Sequence, residues 1–331
     1  MALKDVIGQE RALRILSGTL RRDRVPSAML FSGDSGIGKR LAAINYAKAI
    51  NCMQPKGFDC CDECVSCRKI DSATHPDVLT ITLESVEDAL SLKEKTGKDK
   101  NRYEYPIEAV HKIEEILYLS PYEGRKKIII IDDADVMNIN AANAFLKTLE
   151  EPPPDSLIIL ISANPDRLPD TIRSRCVNIK FYPLPLDGCK GVMSEHIDGK
   201  DMDFVLNLAM GRPGLAVSMD LVKERERFTG TLNNMIRGES KDAWADKGEI
   251  NSWLDTVSVL LRDMVVYGIS GKETDLILGN RQSIIGVRRE AKDILDAYQE
   301  MQRLKGLLDF NLNKSITWNY VSTIMKGVME V

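Results

Sequence analysis

The chain has no run of eighteen apolar residues, so its sequence predicts no membrane span. Its first ten residues, Met-Ala-Leu-Lys-Asp-Val-Ile-Gly-Gln-Glu, lack the apolar stretch of a secretory signal, and the expected compartment is the cytoplasm. It has no basic excess: the net charge is −4 and the pI about 5.6. A protein that grips nucleic acid unaided usually shows a basic balance, so any DNA contact is local or belongs to an assembly. Its cysteines are not spread along the chain. Five of the seven fall between Cys52 and Cys67, which argues against a disulfide framework and for a metal. Repeats and low-complexity tracts are absent. What is present is an ordinary globular composition, 44% hydrophobic and 28% charged over 331 residues, enough for two or three domains.

One hydroxyl is also missing where chemistry would want it. Gly33-Asp-Ser-Gly36-Ile-Gly38-Lys39 completes the pattern G-x-x-x-x-G-K, but the next residue is Arg40, not Ser or Thr. In such a loop the glycines let backbone N–H groups cradle phosphates, and Lys39 would reach the β and γ oxygens. The absent hydroxyl is the Mg²⁺ ligand. The flanks suit the motif: Ala28–Ser32 reads as a buried strand and Leu41–Ile50 as a helix. The pattern predicts an ATPase-like cradle whose own chemistry is weakened or lost.

Further along, Lys127-Ile-Ile-Ile-Ile-Asp132 is a fully apolar strand ending in acids, the Walker B arrangement. Asp132 would sit near the metal. The next position, which usually carries the Glu that orients water, is Asp133, one methylene shorter; a misplacement of about 1 Å can cost roughly a hundredfold in rate. Were the Arg40 guanidinium to approach the metal position, two unit charges 4 Å apart would repel by about 4 kcal/mol at an effective dielectric of 20. Cys52, Cys61, Cys64 and Cys67 form C-x8-C-x2-C-x2-C, spacing suited to a tetrahedral Zn²⁺. No water-activating residue stands beside them, so the site should be structural; Cys60 is a spare or a competitor for Cys61.

Strand signals at 28–32, within 75–82, at 127–132 and at 157–162 alternate with helical ones, which predicts an α/β parallel sheet covered on both faces. Residues 91–105 are polar and predict a mobile loop. After Phe181-Tyr-Pro-Leu-Pro the strand signals stop. Short helices broken at Gly211-Arg-Pro-Gly214 precede longer ones at 247–268, 284–311 and 315–329. The expected division is a phosphate-loop domain over 1–182 with a zinc module at about 52–67, a helical lid over 183–220, and a helical domain over 221–331. His111 reads as a surface residue, and Trp244, Trp253 and Trp318 as packing residues.

Several segments together resemble a known family: Val6-Ile-Gly-Gln9, Leu30-Phe-Ser-Gly33, the cysteine module, His75-Pro-Asp77 and Ser120-Pro-Tyr-Glu-Gly124. The most specific are Ala141-Ala-Asn-Ala-Phe-Leu-Lys-Thr-Leu-Glu-Glu-Pro152 and Leu168-Pro-Asp-Thr-Ile-Arg-Ser-Arg-Cys176. They resemble the clamp-loader subunits of bacterial DNA polymerase III, in the AAA+ superfamily. Gly-Lys-Arg, Asp-Asp-Ala-Asp and Gly-Arg-Pro-Gly place the likeness nearest the delta-prime type. The resemblance implies an AAA+ fold with an all-α collar, and Val6 and Ile7 bordering an adenine. It puts Ser162, or nearby Asn164, in the sensor-1 region and makes Arg175 an arginine finger for a neighbour's γ-phosphate. The sensor-2 arginine of the motor subunits falls on Gly214, with Arg212 two residues earlier. The implied partners are other clamp-loader subunits, the sliding clamp, and primer–template DNA through the assembly. ATP or ADP would be held without turnover. The chain would belong to a DNA-directed DNA polymerase holoenzyme, with no polymerase activity and little or no ATPase of its own. The rivals are an active gamma/tau-type motor subunit, a stand-alone phosphate-loop enzyme such as a kinase, and a structural zinc adaptor.

Overall fold

The computed structural model describes residues 1–83, 85–86, 104–194, 197, 202–218, 221–237, 244, 247–272, 276, 290–308 and 313–329. Most of the loop expected at 91–105 lies outside them. Five strands form one parallel sheet: β1 (Ala28–Ser32), β2 (Val78–Ile81), β3 (Lys127–Ile131), β4 (Ser156–Ser162) and β5 (Val177–Lys180), in the order β2-β3-β4-β1-β5. This is the AAA+-type α/β class that the resemblance implies. Every residue of β1, β3 and β4 is buried, which explains their unbroken apolar runs. Leu30, Ile129, Ile131, Ile158 and Leu160 face α4 (Ile107–Leu117) and α5 (Ile139–Glu150). Helix α2 (Lys39–Asn51) also packs on β1, β3 and β4, and α1 (Glu10–Arg21) packs on β5. Each such Ile or Leu is worth about 1.5–3 kcal/mol in burial.

The register brings the strand ends together. Ser32 pairs with Ser162, and β3 ends at Ile131 with Asp132 beyond it. The phosphate loop, the acids and Ser162 therefore share the carboxyl edge of the sheet, where open parallel sheets place ligands.

The opposite edge is held by a buried carboxylate. Asp77, just before β2, accepts the backbone N–H groups of Tyr122, Glu123 and Gly124 at 2.7–2.8 Å and pairs with the buried Lys127 ammonium at 3.1 Å. Burial works against its charge, but these donors outweigh it and pull the carboxyl from 3.8 to about 2. A depressed carboxyl stabilises the fold fully above about pH 4, and that contribution is lost as pH falls through 2; the shift corresponds to about 2 kcal/mol. Asp77→Asn strands Lys127 and is expected to cost about 3 kcal/mol at neutral pH. Urea unfolding checks this, and the gap between variant and parent should narrow between pH 4 and pH 2.

Helices fall in two compact units. The first contains Met1–Val192 and Gly211–Leu215, the second Met193–Met210 and Ala216–Val331. Residues 183–220 thus contribute to both. The first unit also holds α3 (Val65–Asp71), α6 (Asp170–Arg173) and most of α7 (Leu186–Met193). The second contains α8 (Met202–Ala209), α10 (Leu221–Arg237), α11 (Lys247–Ser270), α12 (Ala291–Leu307) and α13 (Lys314–Met329); α9 (Pro213–Ser218) straddles the division. In the second unit Trp244 packs against Trp253 and Trp318 at ring separations of 5.5 and 5.0 Å, and Phe228 closes the cluster. The three tryptophans are core residues. Helix α12 begins later than the sequence pattern suggests; 281–289 lie outside the described residues. No described helix is long and apolar enough to cross a membrane.

Candidate functional site

The phosphate loop joins β1 to α2, as the motif requires. Gly33 has φ 141°, and a Cβ there would lie 2.4 Å from the Phe181 carbonyl oxygen, so only glycine fits. Gly36 and Gly38 also have positive φ, and Gly38 caps α2. The Lys39 ammonium is buried and turned onto its own loop, donating to the carbonyls of Gly33 and Asp34. Burial lowers its pKa, with Asp132, Asp133, Asp135 and Asp34 opposing.

Arg40 reaches the acidic strand end. Its Nη1 lies 3.4 Å from Asp132 Oδ2, although the side chain is 57% exposed. The pair spans 92 residues of sequence. A cation therefore rests against the carboxylate at the end of β3. Asp133 follows with a left-handed backbone, φ 49°. Partial desolvation, then the charges of Asp132 and Asp135, raise its carboxyl above the usual range. Asp135 is used structurally, accepting the Ala163 N–H at 3.2 Å. The Ser162 hydroxyl is fully buried and has no partner among the described residues. Val6 is buried and Ile7 exposed.

The segment Gly211–Leu215 closes over the loop. The Gly214 N–H donates to the Gly36 carbonyl at 2.8 Å, and a Cβ on Gly214 would sit 2.8 Å from that oxygen and 3.0 Å from the Gly36 Cα. No side chain, least of all an arginine, fits at 214 with this segment in place.

Two residues that hold the site were not singled out by the sequence. Tyr105 is buried and donates through its hydroxyl to the Asp132 carbonyl at 2.7 Å and the Ile81 carbonyl at 3.3 Å. It fixes the end of β3, yet it lies at the edge of a polar stretch that reads as a loop. The Gln9 amide donates to the carbonyls of Tyr182 and Ile37, and its oxygen accepts the Tyr182 N–H. Its only signal is membership of the Val-Ile-Gly-Gln segment.

Arg175 lies just beyond α6, away from this cradle in sequence. It is bonded to Glu150 and donates to the Thr171 carbonyl at 2.8 Å.

The four cysteines converge. The sulfurs of Cys52, Cys61, Cys64 and Cys67 all lie within 4.8 Å of one another, with Cys52 3.5 Å from Cys61 and 3.9 Å from Cys64. Tetrahedral Zn²⁺ with bonds of about 2.3 Å sets sulfurs about 3.8 Å apart, so the donor set fits such an ion. Backbone N–H groups of Cys61, Cys64 and Cys67 donate to the preceding sulfurs in the set. Burial raises the thiols of Cys52 and Cys67; at Cys64 burial is outweighed by N–H donors and the thiol falls to about 6. Cys60 stands outside the set, its thiol pushed up to about 11 by burial despite nearby Lys48.

This module is tied to the N-terminal segment. Asp59 accepts the N–H groups of Leu3 and Lys4 at 3.0 Å. Lys48, fully buried on α2, donates to the Met1 carbonyl at 3.0 Å and pairs with Asp62 and with Asp71 at 2.7 Å. Burial opposes its charge, but the two carboxylates outweigh it and raise its pKa.

Comparison with known proteins finds relatives among subunits of DNA polymerase III. The delta' subunit of DNA polymerase III from Bacillus subtilis (strain 168) is 36% identical over 176 residues, 53% of this chain and 48% of the relative. The tau subunit of the same organism is 29% identical over 277 residues, 78% of this chain and 46% of the relative. The chain spans about half the length of these relatives. A solved gamma subunit-related protein from Thermotoga maritima aligns with 95% of this chain and all of its own, at 17% identity and TM-score 0.44. A family model described as DNA polymerase III, delta subunit matches residues 8–185, more than half of the chain. With delta' sequences among its relatives, the chain belongs to that family of clamp-loader subunits, on its delta-prime side.

Proposed function

We propose that the chain is a delta-prime-like clamp-loader subunit that lends Arg175 to a neighbour's ATP site while its own site stays idle. The observation that carries the reading is Arg40 resting on Asp132, where a catalytic site would place a divalent ion between a hydroxyl and that carboxylate. The shortened Asp133 and the closely covered Gly214 add to it. Asp133 is the degenerate member of the Walker B pair. A nucleotide, ATP or ADP, would be held by Lys39 and the amides of Gly33–Arg40, with Val6 and Ile7 beside the base and Ser162 in the sensor position. Magnesium, where bound, would neutralise charge on the phosphates; Asp132 would face it, with no hydroxyl at position 40. The four cysteines would hold a structural Zn²⁺.

The partners would be other clamp-loader subunits in a hetero-oligomer, with the sliding clamp and primer–template DNA met through that assembly. The isolated chain is expected to hydrolyse almost no ATP in saturating magnesium, yet to raise the turnover of an ATP-hydrolysing partner. Robust magnesium-dependent hydrolysis by the chain alone would sink the reading. A second reading, an active motor subunit, is favoured by the tau relative aligning along 78% of the chain. The same assay separates the two.

A further inference from the structure

Helix α5 ends at Glu150 because Pro152-Pro-Pro154 follows. Proline has no N–H and disfavours helical backbone in the residue before it, and Glu151 has left the helix at φ −124°, ψ 67°. Glu150 is thus fixed at the last helical position. A carboxylate there opposes the helix dipole, which favours cations at that end. Lys147 lies in that last turn too, but the cation bonded to Glu150 is Arg175, 25 residues away, through its Nη2 to Glu150 Oε1.

The other end of the guanidinium is fixed as well. Its Nη1 donates to the Thr171 carbonyl in α6 at 2.8 Å, and the Arg175 N–H bonds the Ile172 carbonyl at 3.1 Å. Ile172 is fully buried, so this turn is anchored in the core. These side-chain bonds use two of the five guanidinium N–H donors. The side chain remains 33% exposed, against 50% for Glu150. Neighbouring Arg173 differs: it pairs with Asp166 and Asp170, both close in sequence.

A half-exposed ion pair adds little to stability. Its effect here is orientation. A free arginine spreads over many rotamers, and a group that acts on a transition state must be held within about 0.5 Å of its working position. We propose that Glu150 is the positioning residue for Arg175, holding the guanidinium by one edge so that the remaining donors face outward to a phosphate on an adjoining subunit. This rests on the finger reading of Arg175.

The test uses Glu150→Ala, Glu150→Gln and Arg175→Ala, each assembled with the ATP-hydrolysing subunit of the same organism. Glu150→Ala should lower kcat by between about tenfold and a hundredfold, with KM for ATP and complex formation unchanged. Glu150→Gln keeps an acceptor oxygen and should recover most of the rate. If Arg175→Ala is slow but Glu150→Ala matches the parent or exceeds it, the positioning role is overturned and the finger survives. A rate lost only together with assembly overturns it too. If Arg175→Ala itself runs at the parental rate, the finger reading fails, and Glu150's role with it. A second measurement needs no partner: in the isolated Glu150→Gln and Glu150→Ala chains, side-chain relaxation of Arg175 Nε should show greater mobility in the alanine variant, while Arg173 stays unchanged. Equal order at Arg175 in parent and alanine variant would overturn the proposal.

Discussion

Replacing Arg175 by alanine is expected to slow ATP turnover by the assembled motor subunit about a thousandfold, the lower part of the 10³–10⁵ range for fingers supplied in trans. The loss should fall on kcat, because under the proposed role the guanidinium would act on charge that develops as the γ-phosphate departs. Affinity for ATP would change little. Arg175→Lys should recover only a small part. A lysine keeps one charge but cannot bond Glu150 and Thr171 while also presenting a planar fork to a phosphate. Lys39→Ala in the same assembly serves as the opposite control. If this chain's own cradle is idle, removing its lysine leaves the partner's turnover unchanged. Steady-state rates of the reconstituted complex measure all three. A thousandfold loss from Lys39→Ala together with none from Arg175→Ala would reverse the assignment of working and idle sites.

The features legible in the sequence are those whose partners are close along the chain. Four consecutive isoleucines before Asp132 can hardly be anything but a strand buried on both faces, and the structure buries all of them. The cysteine spacing pointed to four thiols, and Cys52, Cys61, Cys64 and Cys67 are the four whose sulfurs meet. Sequence left Cys60 open against Cys61; the turn of the loop decides it, placing Cys60 toward Lys48. What the sequence could not give are contacts made across long separations. Arg40 is legible only as the residue standing where a Ser or Thr is expected; that its guanidinium lies 3.4 Å from Asp132, 92 residues away, depends on the fold. Lys48 lies in a helix of ordinary polar-apolar mixture, and nothing local says that its ammonium is sealed under residue 1 and between two aspartates. Asp77 is legible as part of His75-Pro-Asp77, but its grip on Tyr122–Gly124 depends on α4 returning the chain to the same edge. Glu150 was visible only as one letter of a family segment. Its meaning comes from α6 setting Arg175 beside the end of α5.

Stripping the metal-binding set should have the largest effect on order. Helix α2 starts at the phosphate lysine and runs into Cys52, the first thiol of the cluster. Cys64 caps α3 through its sulfur, and beyond a small buried cluster of the cysteines with Ala2 the loop 52–67 would depend on sulfur–ion bonds for its order. Structural Zn²⁺ in small modules is worth about 10–16 kcal/mol of apparent binding energy at neutral pH, and an ion held here would put most of it into ordering this one loop. Asp59 and Asp62 sit on the same loop and hold Leu3, Lys4 and Lys48. Cys67→Ser, or a strong chelator on the parent, is therefore expected to abolish the bound metal and raise amide exchange at least about a hundredfold at Leu3, Lys4, Cys61 and Cys64, since local opening removes their protection. The sheet should hold, because Ile128–Ile131 and Ile158–Ile161 are buried without any help from the module. Native mass spectrometry gives the metal content and hydrogen exchange gives the map. Exchange confined to 52–67, with Leu3 and Lys4 still protected, would separate the cysteine loop from the N-terminal segment and show that Lys48 and the burial of Ala2, Leu3 and Val6 keep that segment in place.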